Sequence, residues 1–344
     1  MPEDSGTGPA SERVSSRVRA PGMRDVARAA GVSHQTVSRV LNEPDLVRSE
    51  TRDRVLAVMR DLGYRRNLAA RALASGHSAL IGVVWTGADF FGPSRTVAGI
   101  EVAARSAGYA TLVGALPADQ EDAVASIIES FRDRSVDGVA VVAPHQRMFD
   151  LVRDRLEGIP TVMVGDLSPE ECGCHTVSID QQLGAELAVR HLIETGARSI
   201  AHVAGPLDWF DAAARVRGWR SALGDAGLEL LDPIVGDWTP ESGYAAGKTL
   251  ADDLPDAVFC ANDLMAVGVA AALGPDVSRV RLVGFDDIDG SAFFSPPLTT
   301  VHQPFEALGA LSLETLMSVI AGEDPRPPKL APELVIRASS TPAV

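Results

Sequence analysis

Two lobes of doubly wound parallel sheet behind a small all-α helix-turn-helix headpiece is the fold this sequence predicts, and three observations predict it. Residues 24–62 place apolar side chains at helical spacing, with one glycine break between the first two segments. From Ala79 onward the rhythm becomes apolar strand, turn and helix, repeated in two successive series. The chain of 344 residues is long enough, at ~150 residues per domain, for two sizeable cores.

Residues 1–22, rich in Ser, Gly and Pro, read as a disordered tail, and Met23 offers an alternative start. The headpiece is expected at 23–66. Its first helix carries Val26, Ala27, Ala29 and Ala30 and stops at Gly31; Ser33 caps a second that runs through Val37, Val40 and Leu41. A third begins near Ser49, carries Val55, Val58, Met59 and Leu62, and stops at Gly63. Residues 67–77 form a linker, whose alanine-rich stretch 68–76 suits a helix too short to be stable unless something packs on it.

The core is expected at 78–344. The first strand series is 79–85, 110–116, 138–143 and 161–165; the second is 176–180, 199–205, 257–262 and 281–286. Continuous β-branched runs of this kind suit strands covered on both faces. Ligands of open parallel sheets bind beyond the carboxyl ends of the strands, which makes Trp85, Asp166, Asn262 and Asp286 candidates from topology alone.

Composition narrows the function classes. Hydrophobic residues make up 46% and charged residues 22%, the mix of a globular chain. Cys172, Cys174 and Cys260 leave one over and offer no disulfide framework, which agrees with a reducing cytoplasm. The first twenty residues hold no signal-like apolar run, and no later stretch offers ~18 uninterrupted apolar residues, which argues against secretion and against a membrane protein.

The formal net charge of -15 is unevenly divided. Residues 23–76 hold ten Arg against six acids, a net +4, whereas residues 77–344 hold 18 basic against 37 acidic residues, a net -19. A basic head on an acidic body meets a polyanion end-on. An Arg-rich solvated helix face would carry the same charge, so charge alone leaves both readings open.

Catalytic and metal signals are weak. The run GYAAGKT (243–249) has three residues between its glycines where a phosphate-binding loop needs four, and it lies in a helical pattern. CGCH (172–175) lacks the spacing of four tetrahedral ligands and reads as a loop. No nucleophile or acid/base motif stands out, so no catalytic residue, metal or cofactor is expected.

The segment RDVARAAGVSHQTVSRVLN (24–42), followed by SETRDRV (49–55) and LGY (62–64), resembles the DNA-binding signature of the lac-repressor/galactose-repressor family of bacterial transcription regulators. AGPL (204–207), RVRGW (215–219), GDW (236–238), AND (261–263), VGFDD (283–287) and PPLTTVHQ (296–303) resemble further landmarks of that family in the same order. The resemblance spans all but the tail. It implies a headpiece, a hinge helix and a core like a type I periplasmic binding protein, its lobes joined by three crossing strands. Lobe 1 is placed at about 79–177 and 303–332, and lobe 2 at about 178–302 and 333–344.

On the recognition helix, His34, Gln35 and Arg39 project toward base edges. Arg39 suits guanine and Gln35 adenine. Thr36, Ser38 and Asn42 are placed for phosphates, and Ser33, the cap, is counted with the DNA-binding residues. The resemblance marks Leu73 as a minor-groove wedge, Ala69 and Ala70 as the face where two hinge helices meet, and Asn67 and Arg71 as further DNA contacts. Gly22 and Met23 depart from the family pattern, and the first helix is expected to be less well capped.

In the core the resemblance puts Arg215 on a ligand-contacting arginine, Asp286 on a hydroxyl-binding carboxylate and Trp238 on an aromatic platform. The three suit a sugar: a planar fork, an acceptor for vicinal hydroxyls and a stacking face. Asn262 is expected to support Asp286 or donate to the ligand, with Thr86, Phe90, Phe91, Asp166, Trp209 and Asp211 on the cleft wall. Taken singly, each aromatic suits a core position as well.

The expected partners are a double-stranded DNA operator, a small effector of carbohydrate type, and a second copy of the chain on a near-palindromic site. A nucleobase or nucleoside would stack on the same rings, and a solute-binding protein would share the core without the headpiece. The sequence stops at Val344, shortly after ELVIR (333–337) and without a leucine heptad, so dimers rather than tetramers are expected. The place of action is the cytoplasm.

Overall fold

The computed structural model describes residues 21–64, 76–87, 90–116, 122–143, 145–167 and 172–341. The tail through residue 20 and the hinge positions Asn67, Ala69, Ala70, Arg71 and Leu73 lie outside the described residues. The chain divides into two units between Arg71 and Ala72.

In the first unit, helices α1 (Met23–Ala30), α2 (His34–Asn42) and α3 (Ser49–Asp61) surround a small core of Val26, Ala27, Ala30, Val37, Val40, Val55 and Met59. Gly31 makes the turn between α1 and α2 at φ 67°, a left-handed conformation that any Cβ would strain. Gly22 supplies no capping side chain, as expected, yet Asp25 Oδ2 accepts the Gly22 N–H at 2.9 Å. An acid three residues into the helix thus satisfies the backbone from the other side.

The second unit contains two parallel sheets. Strands β1 (Leu80–Trp85), β2 (Ala110–Ala115), β3 (Gly138–Val142), β4 (Thr161–Val164) and β5 (His175–Val177) form the first, in the order β2-β1-β3-β4-β5. Strands β6 (Ile200–Ala204), β7 (Ile234–Val235), β8 (Ala257–Cys260) and β9 (Arg281–Val283) form the second, in the order β7-β6-β8-β9. All of these pairings are parallel. The central strands β3, β6 and β8 are buried throughout, as their unbroken apolar runs require.

Two strand expectations are corrected. The run 176–180 opens no second series: β5 pairs with β4 and closes the edge of the first sheet, and Asp180 already caps the helix that follows. The short β7, preceding the GDW landmark, gave no strand signal because two residues carry no period.

The helices that complete the layers are α4 (Phe91–Ser106), α5 (Asp122–Asp133), α6 (Gln146–Arg153), α7 (Gln181–Glu194), α8 (Phe210–Asp225), α9 (Pro240–Leu250), α10 (Asp263–Leu273) and α11 (Phe305–Ile320). The run GYAAGKT lies inside α9, as its alanine-rich pattern indicates.

The chain passes between the lobes three times. It crosses from β5 to α7, from β10 (Thr300–His302) to α11, and from Leu330, bridged to Ile179, to β11 (Glu333–Val335). Leu308, Leu313 and Leu316 of α11 join the core under the first sheet, whereas Val301 of β10 joins that of lobe 2. Strands β10 and β11 pair antiparallel. The last turn, Ala338–Ser340, is tied into lobe 2 by Ser339 Oγ to the Leu282 carbonyl at 2.6 Å and by Ser340 Oγ on His191 Nε2 at 2.8 Å.

Cys260 is free and buried, and the Cys172 and Cys174 side chains lie against each other. Their Cα atoms lie 5.2 Å apart in the segment before β5, within disulfide reach. No helix among the described residues is long and apolar enough to cross a membrane.

Candidate functional site

The headpiece presents its recognition helix through a local device. Ser33, in extended conformation, accepts the Thr36 N–H on its Oγ at 3.1 Å and meets Thr36 Oγ1 at 2.9 Å, fixing the first turn of α2. Val37 and Val40 are buried, so the helical period leaves His34, Gln35, Arg39 and Asn42 exposed, with Thr36 and Ser38 half-buried. Asn42 Nδ2 donates to Ser38 Oγ at 3.3 Å. The exposed face therefore carries a cation, an amide and an imidazole within two turns.

In the core a cleft opens where the carboxyl ends of the two sheets meet. Phe90, Phe91, Trp209, Asp211, Arg215, Trp238, Asn262 and Asp286 all line it. Thr86 and Asp166 are buried nearby but are not among its lining residues. Asp166 pairs with Lys329, and its amide donates to Asp211 Oδ1 at 3.3 Å. A wider groove on lobe 1, bordered by Phe149, Leu156, Cys174 and Pro325, holds none of the expected site residues.

Aromatic rings build one wall. Phe90 from lobe 1 meets Trp209 from lobe 2 edge-on at 4.7 Å between centroids, and Trp209 meets Trp238 at 5.3 Å. Trp238 sits at φ 74° and covers Gly205, where an added Cβ would stand 2.2 Å from the indole. A glycine in the AGPL landmark is thus what lets the indole lie down on the sheet edge. Asn262 does not reach Asp286: its Nδ2 donates to the Trp238 carbonyl at 2.9 Å while its Oδ1 accepts the Met265 N–H at 2.8 Å, capping α10.

Arg215 and Asp286 are joined indirectly. Arg215 donates from Nε to Gln181 Oε1 at 3.0 Å, Gln181 Nε2 donates to Gln303 Oε1 at 2.8 Å, and Gln303 Nε2 donates to Asp286 Oδ1 at 2.7 Å. A second Arg215 donor, Nη1, is taken by the Ala261 carbonyl, and the guanidinium lies 4.0 Å from the Phe285 ring centroid. Sequence reasoning missed Gln181, Gln303 and Phe305. Gln303 and Gln181 each follow a strand end, and that was the available signal.

The electrostatics follow from burial. Burial raises Asp286 to about 7 despite Arg215 and the Gln303 hydrogen bond, and raises Asp211 to about 6, again against Arg215. Burial pulls the Arg215 guanidinium below its usual value, opposed by Asp286, Asp211 and Asp166. Behind them Asp263, raised to about 8 by burial, accepts from Thr300 Oγ1 and from the Ile288 N–H. Among the described residues no group of three or more His, Cys, Asp or Glu is arranged to hold a metal ion. The cleft is equipped to bind by stacking and hydrogen bonding.

Comparison with known proteins agrees with both units. Residues 22–67 match the lacI family of bacterial regulatory proteins, and residues 189–340 match the periplasmic binding protein-like domain. The chain is 34% identical over 305 residues to the ribose operon repressor of Escherichia coli (strain K12), covering 86% of this chain and 92% of that protein. A crystal structure of the lac repressor dimer bound to operator and the anti-inducer ONPF superposes with a TM-score of 0.83 at 30% identity, over 94% of this chain and 100% of that one. A complex of the transcriptional regulator CelR with cellobiose gives 0.69 at 32% identity, over 93% and 99%. With its helix-turn-helix headpiece, its two-lobed core and these relatives, the chain belongs to the lacI family of bacterial regulatory proteins, DNA-binding transcription regulators with a small-molecule effector.

Proposed function

We propose that this regulator is a repressor that holds a near-palindromic operator as a homodimer and is switched by a small carbohydrate bound in the core cleft. One observation carries the effector class: the hydrogen-bonded series Arg215, Gln181, Gln303, Asp286 lies beside the Trp209 and Trp238 rings. Amide and carboxylate edges beside an apolar face match the hydroxyl rim and apolar face of a pyranose. The relative crystallised with cellobiose supports the same class.

On DNA, Arg39, Gln35 and His34 read base edges, while Ser33, Thr36, Ser38 and Asn42 hold phosphates. Asn67, Ala70, Arg71 and Leu73 supply the hinge contacts. The core does no chemistry of its own, and the protein acts in the cytoplasm, where its operator is. Ligand binding that favours one lobe arrangement biases operator affinity by its differential affinity for the two.

A second reading rests on the same tryptophan pair, which suits the face of a nucleobase or nucleoside. Titration calorimetry against a sugar panel and a purine panel separates the two. Heat with sugars and none with purines supports the carbohydrate reading; the reverse overturns it. For the DNA half, recovery of bound genomic fragments sharing an inverted repeat supports the proposal, and uniform weak retention of all sequences overturns it.

A further inference from the structure

The cleft holds more acid than its cations balance. Asp211 and Asp286 line it, and Asp166 reaches Asp211 from the opposite lobe. The Asp166 side chain is 2% exposed, and its Oδ2 is buried without a hydrogen-bond partner beside the Asp211 carboxyl. Against these three carboxyls stand Arg215 and Lys329. Lys329 is half in solvent, and two Arg215 donors are spent on Gln181 and Ala261. Asp263, hydrogen-bonded to Thr300 and Ile288 behind the cleft, adds to the acidic side.

An excess carboxylate in a closed, low-dielectric cleft is costly, and the cost is removed by a proton or by a cation brought in from outside. We propose that the effector carries a cationic nitrogen: it is an ammonium-bearing polyol of the amino-sugar class, with its ammonium beside Asp211 and its hydroxyls toward Asp286 and Gln303. This rests on the carbohydrate reading above and adds the charge of the ligand to it.

The geometry gives that charge a mechanical role. Asp166 follows β4 in lobe 1 and gives its amide N–H to Asp211, which opens α8 in lobe 2, so the Asp211 carboxyl lies at the seam that lobe closure tightens. A ligand cation held at that seam offsets the carboxyl charge of Asp211, and the closed arrangement is favoured by the ligand. The Trp209 and Phe90 rings flank the same end of the cleft. A phosphorylated sugar is disfavoured by the same arithmetic, because it adds negative charge to a cleft already rich in carboxyls.

The test uses the full-length protein in calorimetry and thermal-shift titrations with matched sets of three: D-glucose, D-glucosamine and D-glucose 6-phosphate, and the corresponding D-galactose and D-mannose sets. Adenine and guanine are run alongside. In at least one set the amino sugar is expected to bind at least about tenfold tighter than its hydroxyl parent, with no binding of the phosphate. In Asp211→Asn, which preserves shape, that margin is expected to fall to about threefold or less. A parent sugar binding as tightly as its amine overturns the charge assignment and leaves the carbohydrate reading standing. Purine binding with no sugar binding overturns both, and the absence of a response to every amine overturns the proposal. The wild-type comparison is decisive by itself if the variant fails to fold.

Discussion

The side-chain amide of Gln181 donates to the Gln303 carbonyl oxygen at 2.8 Å, and through this one bond the fork of Arg215 is put in line with the carboxylate of Asp286. Both glutamines are buried, and both stand where the chain crosses between lobes, Gln181 at the start of α7 and Gln303 just before α11. A ligand that displaces either amide therefore acts on two crossings at once.

Gln303→Ala leaves the Gln181 amide without its acceptor and Asp286 without its donor, and a buried polar group so orphaned costs about 1–3 kcal/mol. Effector affinity is expected to fall about 10- to 100-fold. Titration with whichever ligand the wild type binds measures it, and a loss of less than about twofold refutes the role given to Gln303.

Gly205→Ala puts a methyl 2.2 Å from the Trp238 indole. The ring must leave the sheet edge, so effector affinity is expected to drop at least about tenfold while the operator is still bound. Trp fluorescence should shift red as the indole meets water. An unshifted spectrum with unchanged affinity shows that the contact is dispensable.

Arg39→Ala removes the exposed cation of the recognition helix. Discrimination at one base pair per half-site is expected to weaken by about 1–3 kcal/mol, with nonspecific affinity reduced far less. Fluorescence anisotropy against an operator set substituted one position at a time resolves this, and equal losses on every sequence would mark Arg39 as a phosphate contact.

Ser33→Ala deletes the acceptor for the Thr36 N–H and is expected to destabilise the headpiece by about 1 kcal/mol. Amide hydrogen exchange in α2 should accelerate while exchange in the core is unchanged. Equal protection of Thr36 in both proteins contradicts it.

Stability should depend on pH in two opposed ways. Asp263 and Asp286 are raised by burial to about 8 and about 7, so the folded core holds protons that the unfolded chain has released, and stability rises as pH falls from 8 toward 6.5. Below 6.5 the buried His202, lowered to about 4, opposes and flattens the rise, because its stabilising contribution is lost as pH falls toward 4 while the buried acids keep theirs. At ~1.4 kcal/mol per proton per pH unit, the Tm of the effector-free protein should be about 2–5 °C higher at pH 6.5 than at pH 8. Calorimetry across pH 4–8 checks it, and a Tm that climbs steadily with pH contradicts the burial of these acids.

The headpiece was readable because caps, helical period and the Gly31 turn are local: each is decided within four residues of chain. The central strands were readable because an unbroken β-branched run has few other places to go. The run 176–180 was misassigned because the same short run suits either sheet, and only the hydrogen bonds to β4 choose. Asp166 was expected on the cleft wall, as its place after a strand suggests, but Lys329, distant in sequence, holds its side chain beside Asp211.

By itself the sequence determined the two-unit plan, the placement of the basic charge in residues 23–76, and which aromatic, acidic and arginine side chains stand at strand ends. The tertiary structure decided how they are joined: that two uncharged glutamines link Arg215 to Asp286, that Asn262 holds a backbone rather than a carboxylate, and that Asp166 of one lobe gives its amide to the Asp211 carboxyl of the other. The reason is range. Periodicity, capping and charge run along the chain, whereas a hydrogen bond between amides more than a hundred residues apart exists only after the lobes have crossed three times.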